Sequence, residues 1–375
     1  MMKKSFIAWL CAGLCLHSIA FAASEYRLQS GFSYQSWSSD QHESGSQLYI
    51  PLQVGCDDDR FSWEIKTGYA DTRGDLSGDS EQSVTGMLDT QAGVSYLLPT
   101  WGGIDWLAGL DINLPTGRTN LDERKVRVMI DPDLVSIISP GQGFNVNPTL
   151  SAARSWERWT MGVGLGYAFQ GKYDYSRQTP DYDPGDILSV AGQVDYGFSG
   201  LWKLSLIAQY LTMGTDRVGG ADLLQKGDAW LIGTTLTRSE DKWDLALSVQ
   251  GIFRGKARIL GTGGNLVTEL QDSQGDEWIA GVSGRYQWLA RTSFTAGLQY
   301  LFLAKNGYDP VSPYYMGNRR KLSLSLGWLQ QLGNNLDLQC GLAGFIMADD
   351  PSWLHPDGDR LYKGWSVTAA VTKRF

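Results

Sequence analysis

The chain has 375 residues and a formal net charge of −8, with 12% aromatic residues and 45 glycines. An acidic chain lacks the basic face that a nucleic-acid partner requires, so we expect no nucleic acid as its ligand. Beyond the first residues, no stretch is apolar for the ~20 consecutive positions that a transmembrane helix needs. Two classes remain, a large secreted β-protein and an outer-membrane β-barrel.

The chain begins with the pattern of a secretory signal peptide. Lys3 and Lys4 precede a short apolar run, and a cleavage site of small residues ends at Ala22. This order of charge, apolar run and small residues is typical of exported proteins. We therefore predict that residues 1–22 are removed.

Alternating apolar and small or polar residues predict strands along the rest of the chain. Between Trp159 and Phe169, large side chains alternate with Thr, Gly or Ala. Because side chains alternate across a strand, each such segment has one apolar face and one small or polar face. We count sixteen segments; the sixth is the weakest, so fourteen strands is the alternative. The predicted strands are 26–37, 46–55, 60–70, 87–98, 104–114, 147–155, 158–170, 187–198, 201–212, 227–238, 242–254, 276–288, 291–304, 319–330, 335–347 and 362–375.

Two features favour a membrane barrel over a secreted β-sandwich. Aromatic residues such as Trp202 and Tyr210 lie at the ends of the apolar faces, where a barrel meets the headgroups. Short connections alternate with long ones, as periplasmic turns alternate with external loops. The sequence therefore predicts an all-β transmembrane antiparallel barrel over residues 23–375, in the cell outer membrane of a Gram-negative bacterium.

The predicted partners follow from that location. The barrel would contact outer-membrane lipid and lipopolysaccharide. The last segment ends at Phe375 on the apolar face and resembles the C-terminal signal that the barrel-assembly machinery reads. A periplasmic or secreted protein in the lumen is a further partner that the pattern leaves open, and no cofactor is expected.

The second face of the predicted strands defines the wall of a lumen. It carries small and polar side chains, many of them neutral amides, and a barrel of sixteen strands leaves an aqueous channel if nothing fills it. We expect passage of a small solute with a weak cation preference, and a purely structural barrel is the alternative. The candidate wall residues are Glu64, Lys66, Asp89, Asp111, Gln250 and Gln299.

The connection at residues 115–146, which we call the third external loop, is unusually apolar. An exposed apolar segment of this length would be a liability, so we expect it to be packed, either inside the lumen or as an external lid. The residues expected to pack on the wall are Val128, Ile130, Leu134, Val135, Ile137 and Ile138. The residues expected to line a pore constriction are Arg127, Asp131, Asp133 and Gln142.

Three short motifs carry a family resemblance: LPTG at 114–117, NPT at 147–149 and PGD at 184–186. In this order and context they resemble the outer-membrane family of the meta-pathway of phenol degradation, often called transporters. The resemblance implies a channel related to the long-chain fatty-acid and aromatic-hydrocarbon transporters. We expect no N-terminal hatch of the kind found in the fatty-acid transporters, and no binding residue is carried over.

An enzymatic function would have to rest on His42 and His355, which lie in external loops rich in carboxylates. Neither histidine has the spacing of a catalytic pair or of a metal site, so we expect no enzyme and no metal. The prediction is a channel or porin for passive uptake of small aromatic or hydrophobic compounds or of sugars. The alternative is a structural barrel that sheathes or anchors a partner protein or an exported polymer.

Overall fold

The computed structural model describes residues 25–76, 81–129, 131–352 and 358–375. The predicted signal peptide, Ile130 and His355 lie outside these ranges. In chain order the strands are β1 (Glu25–Ser39), β2 (Ser44–Asp57), β3 (Phe61–Asp75), β4 (Gln82–Met87), β5 (Thr90–Trp101), β6 (Ile104–Leu114), β7 (Asn145–Trp156), β8 (Trp159–Gln170), β9 (Tyr182–Asp183), β10 (Ile187–Gly197), β11 (Trp202–Met213), β12 (Thr215–Val218), β13 (Ala221–Gln225), β14 (Ala229–Ser239), β15 (Trp243–Arg254), β16 (Arg258–Leu260), β17 (Leu266–Thr268), β18 (Glu277–Leu289), β19 (Thr292–Leu303), β20 (Arg319–Gln331), β21 (Leu336–Asp349) and β22 (Arg360–Arg374).

The long strands form a closed antiparallel barrel. The first and last strands pair with each other, so that Gln29 of β1 lies opposite both Gln53 of β2 and Thr372 of β22. Both β4 and β5 pair with β3 and together occupy one position, which gives sixteen positions around the barrel. The predicted all-β barrel of sixteen strands is confirmed, and the alternative of fourteen strands is wrong.

The fourth predicted strand, 87–98, needs a correction. It begins earlier, at Gln82, and is interrupted at Leu88 and Asp89 between β4 and β5. The interruption has a cause in the contacts of Asp89, whose backbone N–H donates to the carbonyl oxygen of Pro140, 2.9 Å away, in the third external loop. The strand is therefore interrupted at the point where the barrel wall holds that loop.

Alternation sets the two faces of the barrel. On β20, Leu322, Leu324 and Leu326 point outward and each is about half exposed, whereas Ser323 and Ser325 point inward. The same exposed apolar outer face recurs on the other long strands. An apolar outer band with a small and polar inner face is what lipid on one side and water on the other require.

A second, five-stranded antiparallel sheet (β9, β12, β13, β16 and β17) is built from the connections after β8, β11 and β15. Asp216 is its buried centre: its carboxylate accepts from the Tyr182 hydroxyl at 2.8 Å and pairs with Lys226 at 3.2 Å. Burial, with the charge of Asp216, raises the pKa of Tyr182, so the phenol stays a hydrogen-bond donor. The sequence does not predict this sheet, because its strands are too short to show alternation.

Helix among the described residues is confined to α1 (Glu123–Arg127), in the third external loop. Asp122 begins it, since the Asp122 carboxylate accepts from the backbone N–H of Arg124 at 3.1 Å. No helix in the described part of the chain is both long and apolar enough to cross a membrane.

Candidate functional site: the lumen and the third external loop

The third external loop lies against the inner wall at the external end of the barrel. Val135, only 2% exposed, packs on Trp37, Met347 and Tyr362, which point inward from β1, β21 and β22. Because these partners belong to the inner face, the apolar residues of the loop are buried within the barrel mouth. Four further apolar side chains pack around this cluster: Leu76, Leu134, Ile138 and Phe345.

Gln47 of β2 clamps the loop through its backbone. The side-chain amide of Gln47 donates to the Ile137 carbonyl oxygen at 2.8 Å and accepts from the Ile137 N–H at 2.8 Å. Its nitrogen also donates to the hydroxyl of Thr72 on β3 at 2.7 Å. A buried amide satisfied on both its donor and its acceptor side holds Ile137 much as a paired strand would.

Arg319 of β20 holds two carboxylates of the loop. Its guanidinium donates to Asp131 at 2.9 Å, to Asp133 at 2.7 Å and, through two nitrogens, to Asp349 of β21 at 2.6 and 2.7 Å. Lys321 adds a hydrogen bond of 2.6 Å to the Asp133 carbonyl oxygen. We expected Asp131 and Asp133 to face a passing solute, and the structure gives their carboxylates an anchoring role at the wall.

Asp89 ties the two ends of the loop together. Its carboxylate accepts from the backbone N–H of Gly117 at 2.8 Å and from that of Gln142 at 2.6 Å, and also from the side chain of Asn113 at 2.7 Å. A side chain at Gly117 would collide with the Pro140 carbonyl oxygen, so this position requires glycine. The final glycine of the LPTG motif is explained by this close approach.

The PGD motif has a similar explanation. The Asp186 carboxylate accepts from the Tyr167 hydroxyl and from the Gln170 N–H, both at 2.9 Å, and so joins β8 to the entry of β10. Gly185 lies against the backbone of Gly214, where a side chain would not fit. The motif therefore fixes a crossing of external connections.

Below the loop, the inner wall carries the predicted polar residues. Glu64 pairs with Lys66 and with Arg27, the latter at 3.1 Å, and its charge is therefore balanced near the short-turn end. Asp111 and Gln299 are exposed although they point inward, and Gln250 is half-buried. Exposed inward-facing side chains show that the middle of the lumen is open to water.

Two predicted constriction residues behave differently from the anchored aspartates. Arg127 is exposed at the end of α1, and Gln142 meets the wall through its backbone N–H to Asp89. The segment that carries Arg127 is held by Val128, which is buried against Val84 and Leu121. Of the residues predicted to line a constriction, the structure thus brings Asp131 and Asp133 together at Arg319, whereas Gln142 is held by Asp89.

One sector of the inner wall is apolar, contrary to the polar wall that we expected throughout. Leu211, Leu231 and Ile252 point inward from β11, β14 and β15 near the external end, and each is at most 5% exposed. The sequence signal is a pair of adjacent apolar residues, as in Leu231–Ile232, which breaks the alternation. This side of the mouth is packed with side chains.

Of the two histidines considered from the sequence, the structure describes only His42. His42 is exposed in the turn between β1 and β2, with a left-handed backbone (φ 65°), and His355 lies outside the described residues. No group of three or more His, Cys, Asp or Glu side chains within the described ranges could hold a metal ion.

A protein-family model described as "Putative MetA-pathway of phenol degradation" matches residues 23–267, which include the LPTG, NPT and PGD motifs. A comparison with curated proteins found no match.

Solved structures with a similar fold include three outer-membrane proteins. A Pseudomonas aeruginosa FadL homologue is 10% identical, covering 94% of this chain and 90% of its own, with a TM-score of 0.46. The CymD monoaromatic hydrocarbon channel is 11% identical, covering 94% and 89%, with a TM-score of 0.47. Pseudomonas aeruginosa OpdQ is 10% identical, covering 95% and 100%, with a TM-score of 0.49. With TM-scores below 0.5, none of these likenesses carries an argument about a solute.

Proposed function

The chain belongs to the family of the MetA pathway of phenol degradation, and on that premise we propose that it is a diffusion channel in the outer membrane of a Gram-negative bacterium. This membership confirms the resemblance predicted from the three motifs. The proposed channel passes small solutes, either small aromatic or hydrophobic compounds or sugars, and performs no chemistry.

The observation that carries the proposal is the attachment of the third external loop to the inner wall. Three anchors hold it on well-separated wall positions: Asp89 before β5, Gln47 on β2 and Arg319 on β20. A barrel that only anchors a partner has no need of a loop fixed across its own mouth. A loop fixed there narrows an aqueous lumen and sets the size of what passes.

The open part of the lumen supports passage of a small solute. Asp111 and Gln299 face the lumen in accessible positions, while Glu64 is balanced by Lys66 and Arg27. Neutral amides and hydroxyls on the wall exchange hydrogen bonds with water or with a polar solute at little net gain, so a solute is not trapped.

Single-channel recording of the purified barrel in planar bilayers tests the proposal. The full chain should give stable conductance steps, and deletion of residues 126–143 should raise them because the narrowing segment is gone. Shortening the β16–β17 hairpin at residues 261–265 is the matched control, since that turn lies in the second sheet and should leave the steps unchanged.

If neither the full chain nor the deletion variant conducts, the channel proposal fails and a barrel that holds a partner is favoured. Swelling of liposomes that contain the barrel, in sugars and in small aromatic compounds, then identifies the solute class for a conducting protein.

A further inference from the structure

A cleft of about 130 Å³ opens beside α1, in the third external loop, away from the anchors described above. That volume is about ten times the ~10–15 Å³ that a single water needs, so the cleft has room for a small molecule. The charged side chains that line it are Arg118, Asp122, Arg124, Lys125 and Arg177, and Gln82, Asn120 and Leu121 complete the lining.

The cleft is strongly positive. Four cationic side chains face one carboxylate, Asp122, which lies 3.6 Å from Arg124. Among the described residues, Arg118, Lys125 and Arg177 form no ion pair. The other external connections are acidic, as in DYDPGD at 181–186 and DSQGDE at 272–277, so this concentration of positive charge is local. Like charges that line one small cleft repel each other, and a bound anion would reduce that repulsion.

The backbone that carries these side chains is fixed on two sides. The Asn120 N–H donates to the Asp174 carbonyl oxygen at 2.8 Å, and the Arg177 N–H donates to the Leu121 carbonyl oxygen at 3.0 Å. Leu121 itself is buried, 4% exposed, against Val84. The cationic side chains therefore project from a framework that does not need to order itself when a ligand arrives, which favours affinity.

The cleft opens on the inner side of the barrel rim. Gln82 and Val84 share one face of β4, and Val84 packs on Leu121 and Val128 of the third external loop. Val84 lies opposite Thr72, which accepts a hydrogen bond from the inward-facing Gln47. A ligand in the cleft would thus lie at the edge of the mouth, on the path of a solute that enters the lumen.

We propose that this cleft binds the oxyanion, a carboxylate or a phosphate, of a small molecule at the external mouth. Arginine is suited to this role, because its planar guanidinium donates two parallel hydrogen bonds to a carboxylate or phosphate. The role as a first capture site rests on the proposed channel function, whereas the binding itself does not. The position on the inner rim favours a free solute over the phosphate of lipopolysaccharide as the source of the oxyanion.

Isothermal titration of the purified full-length barrel, stripped of lipopolysaccharide and kept in detergent at low ionic strength, tests the binding. Sodium benzoate and sodium phosphate are the probes, and each should bind at one site. The double variant Arg124→Gln/Arg177→Gln should raise the Kd by at least about tenfold, since it removes two charge-assisted partners. Arg217→Gln, an exposed external arginine paired with Asp222 at 2.9 Å, is the matched control and should bind as the parent does.

Absence of binding by benzoate, phosphate and lipopolysaccharide alike, or equal binding by the parent and the double variant, would overturn the proposal. Binding of lipopolysaccharide alone, lost in the double variant, would support oxyanion recognition and identify the lipid phosphate as its source. If the barrel binds the probes but shows no conductance, the oxyanion site is supported and the channel proposal fails, so the two proposals can be tested separately.

Discussion

Arg319 should control how firmly the middle of the third external loop is held. In Arg319→Gln, three carboxylates lose the cation that they share. The group is largely buried, since the side chain of Arg319 is 16% exposed and those of Asp133 and Asp349 are 10% and 11% exposed. Removing one partner of a buried ion pair costs about 3–5 kcal/mol. Because the side chain of Asp131 is 25% exposed, we take the low end of this range, ~3 kcal/mol. At ~1.4 kcal/mol per tenfold, this loss corresponds to a ~100-fold rise in the fraction of molecules whose loop is released from the wall.

Single-channel recording should show the release as larger or more frequently fluctuating conductance steps. The increase should be smaller than in the 126–143 deletion, because Asp89 still holds both ends of the loop. Arg320→Gln is the matched control: Arg320 is 51% exposed and its pair with Asp350, at 3.5 Å, is an exposed one worth about 0–1 kcal/mol. Its conductance should equal that of the parent.

The reasoning would be refuted by Arg319→Gln channels that match the parent while the deletion conducts more. In that case the apolar packing of Val135, and not the ion pairs, would hold the loop. Limited trypsin digestion gives an independent reading, since a released loop exposes Lys125 and Arg127 to cleavage sooner than in the parent.

Three further predictions concern the other polar anchors and the C-terminus. Asp89→Ala should lower the melting temperature and raise conductance, because Asn113, Gly117 and Gln142 lose the carboxylate to which they donate. Each buried donor left without an acceptor costs about 1–3 kcal/mol. An unchanged melting temperature would contradict this. Asp216→Ala should leave conductance unchanged but make the second sheet more sensitive to protease, since the Tyr182 hydroxyl loses its acceptor. Asp222→Ala, at an exposed position of the same sheet, is the control. Deletion of Phe375 should reduce the amount of barrel in the outer membrane without changing single-channel conductance, and normal amounts on immunoblots of membrane fractions would argue against a C-terminal assembly signal.

The strand pattern could be predicted from sequence because one side of every strand faces lipid. That requirement imposes a period of two over ten or more residues, which is visible without any knowledge of neighbours. The segment 158–170, for example, corresponds to β8 at Trp159–Gln170. The interruption at Leu88 and Asp89 could not be predicted in this way, because it depends on a contact with Pro140, far along the chain.

The anchors of the third external loop could not be predicted from sequence for the same reason. Gln47 and Ile137 are separated by 90 positions, and Arg319 and Asp131 by 188. The alternation placed Gln47 on the inner face, but a polar inner face is expected for any water-filled barrel. Only closure of the barrel brings β20 close enough to β2 for both to hold one loop.

The path of the loop around the wall explains how it would narrow the lumen of the proposed channel. It leaves the wall after β6, touches β3 through Val128 beside Gly74, and is next held at β20 by Asp131. Four strands, β2, β1, β22 and β21, lie between β3 and β20 around the barrel. Three residues reach at most ~11 Å, so the chain covers this arc as a chord inside the wall. Space between that chord and the wall is filled by Val135 and its apolar partners, so in the proposed channel a solute would pass on the far side of the loop.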